Sequence, residues 1–93
     1  MAKKRPDITI LQDSKTSIRF KNLERILKQH GWSVQSTRGS HHVYSKDGYL
    51  PIMMVRPHGK HKYCHPRDVN KVIEQLEIEE KTEKAINEQE EKS

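Results

Sequence analysis

Two adjacent histidines, His41 and His42, follow directly on a short turn that contains Gly39. An imidazole at the start of a strand, just after a glycine turn, is expected to be exposed and held in place. Histidine titrates near neutral pH, so it can take a proton from a 2′-hydroxyl or give one to a leaving oxygen. Because side chains alternate along a strand, the two rings are predicted to face opposite sides. A structural or solvated histidine would show the same local sequence.

The loop of residues 56–65 holds a second group of reactive side chains. Four soft-metal donors crowd into eight residues and could close a tetrahedral zinc site. Zinc loops with strong signatures usually take their ligands from two parts of the chain, and the lysines of this loop would repel a metal ion. The same lysines favour a loop that binds phosphate groups. We therefore predict no metal and no other cofactor, with a metal-binding loop as the alternative, whose ligands would be His58, His61, Cys64 and His65.

Positive charge is concentrated in the first three quarters of the chain. Residues 77–93 hold seven glutamates against three lysines, whereas residues 1–76 hold fifteen lysines and arginines against six acidic residues, which gives net charges of −4 and +9. A small cationic domain suits a polyanion, because neutralised phosphates release condensed counterions. A merely solvated charged surface is the alternative. The candidate RNA-binding residues are Arg38, Ser40, Arg56, Lys60, Lys62 and Arg67.

Aromatic residues are few, and their roles differ. Trp32 is more typical of a core than of a base-stacking platform. Tyr44, Tyr49 and Tyr63 could stack on RNA bases, and the sequence leaves their placement open.

Hydrophobic spacing predicts the elements that position these groups. From Ile18, apolar residues recur every three or four positions up to Gly31, which indicates an amphipathic helix that ends at a glycine. The period then falls to two, which predicts strands before and after a turn at residues 38–40. A second turn at residues 46–48 contains the Asp-Gly pair typical of hairpins, and an apolar third strand follows at residues 50–55.

A second helix is predicted to begin at Pro66. Proline has no backbone N–H group, and the first residue of a helix needs none because it has no intrahelical acceptor. The apolar stripe of this second helix ends at Leu76. The predicted fold class is therefore α+β: a helix, a three-stranded antiparallel sheet and a helix, with both helices on one sheet face. Three segments are expected: a flexible basic arm over residues 1–17, the folded domain over residues 18–76, and an acidic, helix-prone tail over residues 77–93.

Composition argues against a membrane or secreted protein. No apolar run approaches the roughly 18 residues that a membrane span requires, and the basic start of the chain is followed by no apolar signal-peptide core. Cys64 is the one cysteine in the sequence, so no internal disulfide can form. The expected location is the cytoplasm.

Three stretches of sequence resemble the HicA family of toxins. They are LERILKQHGW at residues 23–32, RGSHHVY at residues 38–44 and VRPH at residues 55–58, followed by an amphipathic helix. The resemblance covers about residues 18–76. It implies a fold like the double-stranded-RNA-binding domain, cleavage of mRNA as the toxin of a type II toxin–antitoxin system, and a HicB-type antitoxin that covers the active site. It also implies that His41 is the catalytic histidine and that His42 is the reserve candidate.

The chain departs from the family pattern outside the resembling region. Family members are commonly little longer than that region, so residues 1–17 and 77–93 carry no inherited function. The histidine-rich loop with Cys64 is also unusual for the family. A non-catalytic RNA-binding module on the same fold is therefore the alternative function. A third possibility is a domain that binds another protein or is stabilised by a bound metal ion, which the histidines of the loop at residues 56–65 would favour.

Overall fold

The computed structural model describes residues 6–92, with side chains described for residues 7–83. Its elements are α1 (Pro6–Asp13), α2 (Phe20–Gln29), β1 (Ser33–Arg38), β2 (His41–Ser45), β3 (Ile52–Val55) and α3 (Pro66–Lys92). The predicted α+β class is confirmed: a helix, a three-stranded antiparallel sheet and a final helix follow one another. One further short helix, α1, precedes them.

The sheet is a simple meander in the order β1-β2-β3, with both strand pairs antiparallel. Arg38 pairs with His41, so only two residues connect β1 to β2. Gly39, the first of them, has a φ of +59°, as the type II′ hairpin turn prefers. A residue with a Cβ would be strained at this φ. The glycine turn therefore fixes where β2 begins.

One hydrophobic core lies between the sheet and the helices. Along β3, buried and exposed residues alternate, so Ile52 and Met54 face the helices while Met53 and Val55 face away. All six residues of β1 are exposed, and Trp32, directly before β1, is buried instead. The helices supply most of the other core residues, among them Leu23, Leu27, Val69, Val72 and Leu76.

The N-terminal segment, expected from the sequence as a flexible arm, contains the short helix α1 over residues 6–13. Ile8 and Leu11 of α1 are fully buried, and α1 packs against α3. Asp7 also forms a hydrogen bond with the His30 ring at the end of α2. The apolar residues of α1 pack against α3, more than 50 residues further along the chain. The sequence around α1 gives no sign of such a distant contact. Residues 1–5 lie outside the described residues.

Packing against the core continues past Leu76, the end of the folded domain expected from the sequence. Helix α3 runs on without a break into the acidic tail. Glu79 is only 1% exposed and accepts hydrogen bonds from Lys46 Nζ and, at 3.4 Å, from Trp32 Nε1. A carboxylate paired in this way can be buried, although its residue type suggests a solvated position.

Helix α3 also covers the outer edge of β3. The Asp68 carboxylate accepts the amide hydrogen of Val55 at 3.0 Å, and Lys71 Nζ donates to the Met53 carbonyl at 3.3 Å. The two side chains also pair with each other at 3.5 Å. These contacts satisfy backbone groups that an edge strand would otherwise present to another chain.

Candidate nucleic-acid interface

His41 is the first residue of β2, and its side chain is exposed. Its cross-strand neighbours are Arg38 on β1 and Val55 on β3. Residues directly opposite each other on antiparallel strands share a face of the sheet, with Cβ atoms about 4.5–5.5 Å apart. His41 and Arg38 therefore stand side by side on the face that the helices leave open. An imidazole and a guanidinium placed in this way can meet the same phosphate.

His42 lies on the opposite face, as the alternation of side chains predicted. It is half-buried, and its ring centroid is 5.0 Å from that of Phe20 and 6.5 Å from that of Tyr44. The sheet itself thus separates this ring from the open face. The structure does not bring the two histidines to one site.

Tyr44 is fully buried and anchors β2 to α2 through a hydrogen bond from its hydroxyl to the Glu24 carboxylate. Burial raises the pKa of the Tyr44 phenol well above its usual value, and the neighbouring Glu24 carboxylate raises it further. The phenol therefore remains a protonated donor. Tyr49 is also turned inward, with its ring centroid 6.2 Å from that of Trp32. Of the three tyrosines that could stack on a base, this leaves Tyr63 well exposed.

The loop after β3 is held against the turn that precedes His41. The backbone amide of Arg56 donates to the Ser40 carbonyl at 2.7 Å. This bond continues the pairing of β3 with β2 by one step beyond Val55. The Gly39–Ser40 turn and the start of the basic loop therefore form one continuous edge of the molecule.

An open cleft of about 610 Å³ lies along this loop. Lys60, Lys62 and Arg56 are among its lining residues, so three of the predicted RNA-binding residues come together here. Thr16 also lines it, a residue from the predicted arm that no sequence signal marked. Arg38 and Ser40 lie at the hairpin instead, and Arg67 is exposed in the first turn of α3. The remaining lining residues are Val55, Pro57, His58, His61, Tyr63, Cys64, His65 and Pro66.

Two of the four possible metal ligands of this loop have structural roles. Cys64 is buried in the core, and burial raises the pKa of its thiol to about 11. The Nδ1 atom of His65 accepts the amide hydrogen of Arg67 at 3.0 Å and so caps the start of α3. Among residues 7–83, no three histidine, cysteine or acidic side chains are grouped so that they could hold a metal ion.

The order of the elements is consistent with the arrangement of double-stranded-RNA-binding domains, and so is the packing of the helices on one face of the sheet. A family model described as the HicA toxin of bacterial toxin–antitoxin systems matches residues 20–78, well over half of the chain. The chain belongs to the HicA toxin family, which confirms the resemblance seen in its sequence and supports a toxin role with an antitoxin partner. Neither the curated proteins nor the solved structures gave a match. No described helix combines the length and the apolar character needed to cross a membrane.

Proposed function

We propose that this protein is an endoribonuclease toxin that cleaves mRNA without a metal ion and uses His41 as a general acid or base. The observation that carries the proposal is the exposed imidazole of His41 beside Arg38, next to the basic loop. Membership of the HicA family supports it. The cationic charge of residues 1–76 supports a polyanionic substrate.

The proposed chemistry needs two proton transfers. A base takes the proton of the 2′-hydroxyl as its oxygen bonds to the adjacent phosphorus. The bond from phosphorus to the 5′-oxygen then breaks, and an acid protonates that oxygen. The products are a 2′,3′-cyclic phosphate and a 5′-hydroxyl end. His41 performs one of these transfers.

Cations beside the histidine stabilise the charge that develops on the phosphate. Arg38 stands directly opposite His41 and is the nearest candidate by strand register. Lys60 and Lys62 line the adjacent cleft, where they would bind neighbouring phosphates of the same strand. Ser40, Arg56 and Arg67 complete the proposed RNA-binding set.

The antitoxin would cover the open face of the sheet. Met53 and Val55 are 45% and 38% exposed on this face, and Val55 is the direct neighbour of His41. Exposed apolar side chains grouped around a functional residue are typical of a protein interface. We propose a HicB-type antitoxin as the occupant, which would block His41 until it is removed. The proposed site of action is the cytoplasm, where mRNA is translated.

The decisive experiment replaces His41. We expect His41→Ala to lower the rate of RNA cleavage by roughly 10²–10⁴-fold, as for the loss of one general acid or base, while RNA affinity barely changes. Expression without an antitoxin should arrest growth for the wild type and not for this variant. Cleavage by the wild type should persist in EDTA.

His42→Ala is the control, because this ring packs on Phe20 and lies away from the open face. It should change thermal stability more than cleavage. An equal loss of cleavage in both variants would move the catalytic role to His42, and loss of cleavage in EDTA would contradict a metal-free reaction. Full cleavage by His41→Ala would end the proposed mechanism.

A non-catalytic RNA-binding module is the second candidate. One observation favours it: among the described residues, no side chain forms a hydrogen bond with the His41 ring that would orient it, as a catalytic base usually requires. The same experiment separates the two functions. A binder would show RNA affinity without cleavage in the wild type.

A further inference from the structure

The cleft beside the hairpin has features that phosphate binding alone does not require. It is an open cleft of about 610 Å³, a volume large enough to take up one nucleotide. One wall includes Tyr63, which is 43% exposed. Three histidine rings and two prolines line it as well, so a flat ligand would meet rings and apolar surface.

The charge of the cleft is of one sign. Its lining residues include Arg56, Lys60 and Lys62 and no carboxylate. Neither Lys60 nor Lys62 forms an ion pair with any side chain among residues 7–83. Both ammonium groups are therefore available to an anion. A ligand with a flat ring and a phosphate satisfies the aromatic wall and the cations together.

A base-paired duplex fits this shape poorly. An A-form helix presents its bases inside a shallow minor groove, and proteins contact it through phosphates and 2′-hydroxyls across a broad surface. An open cleft lined by a tyrosine ring can take up a base only when that base is unpaired and turned outward. The occupant that matches the cleft is a nucleotide in a single-stranded segment.

We propose that this cleft binds one unpaired nucleotide of the RNA strand, with the base on Tyr63 and a phosphate on Lys60 and Lys62. The inference rests on the proposed function and adds its substrate class: RNA in single-stranded form at the cleavage site. The Arg56–Ser40 backbone bond and the Val55–His41 pairing place the cleft next to the open face of the sheet, which carries His41. A strand held in the cleft can therefore continue towards His41.

The test measures binding in the His41→Ala background, where the RNA stays intact. The probes are a labelled single-stranded RNA of about ten nucleotides and the same sequence annealed to its complement. We expect the single strand to bind at least ten times more tightly than the duplex. Adding Tyr63→Ala should weaken single-strand binding roughly 5- to 100-fold, as for the loss of one base stack, and leave duplex binding nearly unchanged.

Tyr63→Phe is the matched control, because it keeps the ring and should bind the single strand within about threefold of the parent. Lys62→Ala should reduce the salt dependence of single-strand binding, whereas Lys81→Ala, an exposed lysine on α3, should not. Equal affinity for single strand and duplex, or no effect of Tyr63→Ala, would overturn the proposal. If His41→Ala still cleaves RNA, the proposed mechanism fails, and the same comparison is made with a 2′-O-methyl version of the probe, which has no free 2′-hydroxyl and stays intact. The failure of the mechanism is therefore distinguishable from the failure of this proposal.

Discussion

At the scale of single residues, one step along β2 separates two very different histidine environments. His41 is exposed beside Arg38, while the ring of His42 packs near the rings of Phe20 and Tyr44. The pleat of a strand is sufficient to cause this difference, since successive side chains point to opposite faces. The residue type, histidine in both cases, does not by itself distinguish the roles of the two rings.

Cys64 gives a pH-dependent contribution to stability. Its thiol has a pKa of about 11 in the folded protein, against an ordinary value near 9, because burial disfavours the thiolate. A raised folded pKa stabilises the protein fully below pH 9, and this stability is lost as pH rises from 9 to 11. We expect a loss of roughly 2 kcal/mol over that range.

The measurement is urea unfolding at several pH values between 8 and 11, for the wild type and for Cys64→Ala. The pKa of Tyr44 is raised mainly by burial and by Glu24 and only to a smaller extent by Cys64, so Tyr44 destabilises both proteins nearly equally at high pH. The difference between the two pH profiles therefore reports chiefly on Cys64. Parallel profiles would show that the thiol ionises without penalty and is not buried as described.

At the scale of elements, α1 tests whether the N-terminal helix is part of the domain. Leu11 is fully buried, whereas Ile10 of the same helix is 54% exposed. Leu11→Ala should therefore lower the free energy of unfolding by about 2–5 kcal/mol, and the matched control Ile10→Ala by about 0.5 kcal/mol or less. Equal effects in chemical denaturation would indicate that α1 does not dock on α3 in solution.

At the scale of the whole molecule, the uneven charge should control RNA binding. Residues 1–76 carry +9, and a bound strand would meet several of these charges. With on the order of four to six phosphate contacts, log affinity should fall with log salt concentration with a slope of about −3 to −4 for single strands. Titrations at several salt concentrations give this slope, and a value near zero would exclude a nucleic-acid partner.

The amino-acid sequence by itself determined the central elements and the placement of His41. The periodicities of α2 and the strands depend on residues that are neighbours in the chain, as does the glycine turn at Gly39. Local rules of spacing and backbone conformation are sufficient for such features. The opposite faces of His41 and His42 followed from the same local rule.

Only the tertiary structure decided which residues meet across long stretches of chain. The apolar run of α1 found its partner on α3, Glu79 found Lys46, and Thr16 joined the cleft of the distant loop. Cys64, which the sequence offered as a metal ligand, became part of the core. Each of these outcomes depends on contacts between segments far apart in sequence, and no local pattern records such contacts because packing and desolvation act only once the chain is folded.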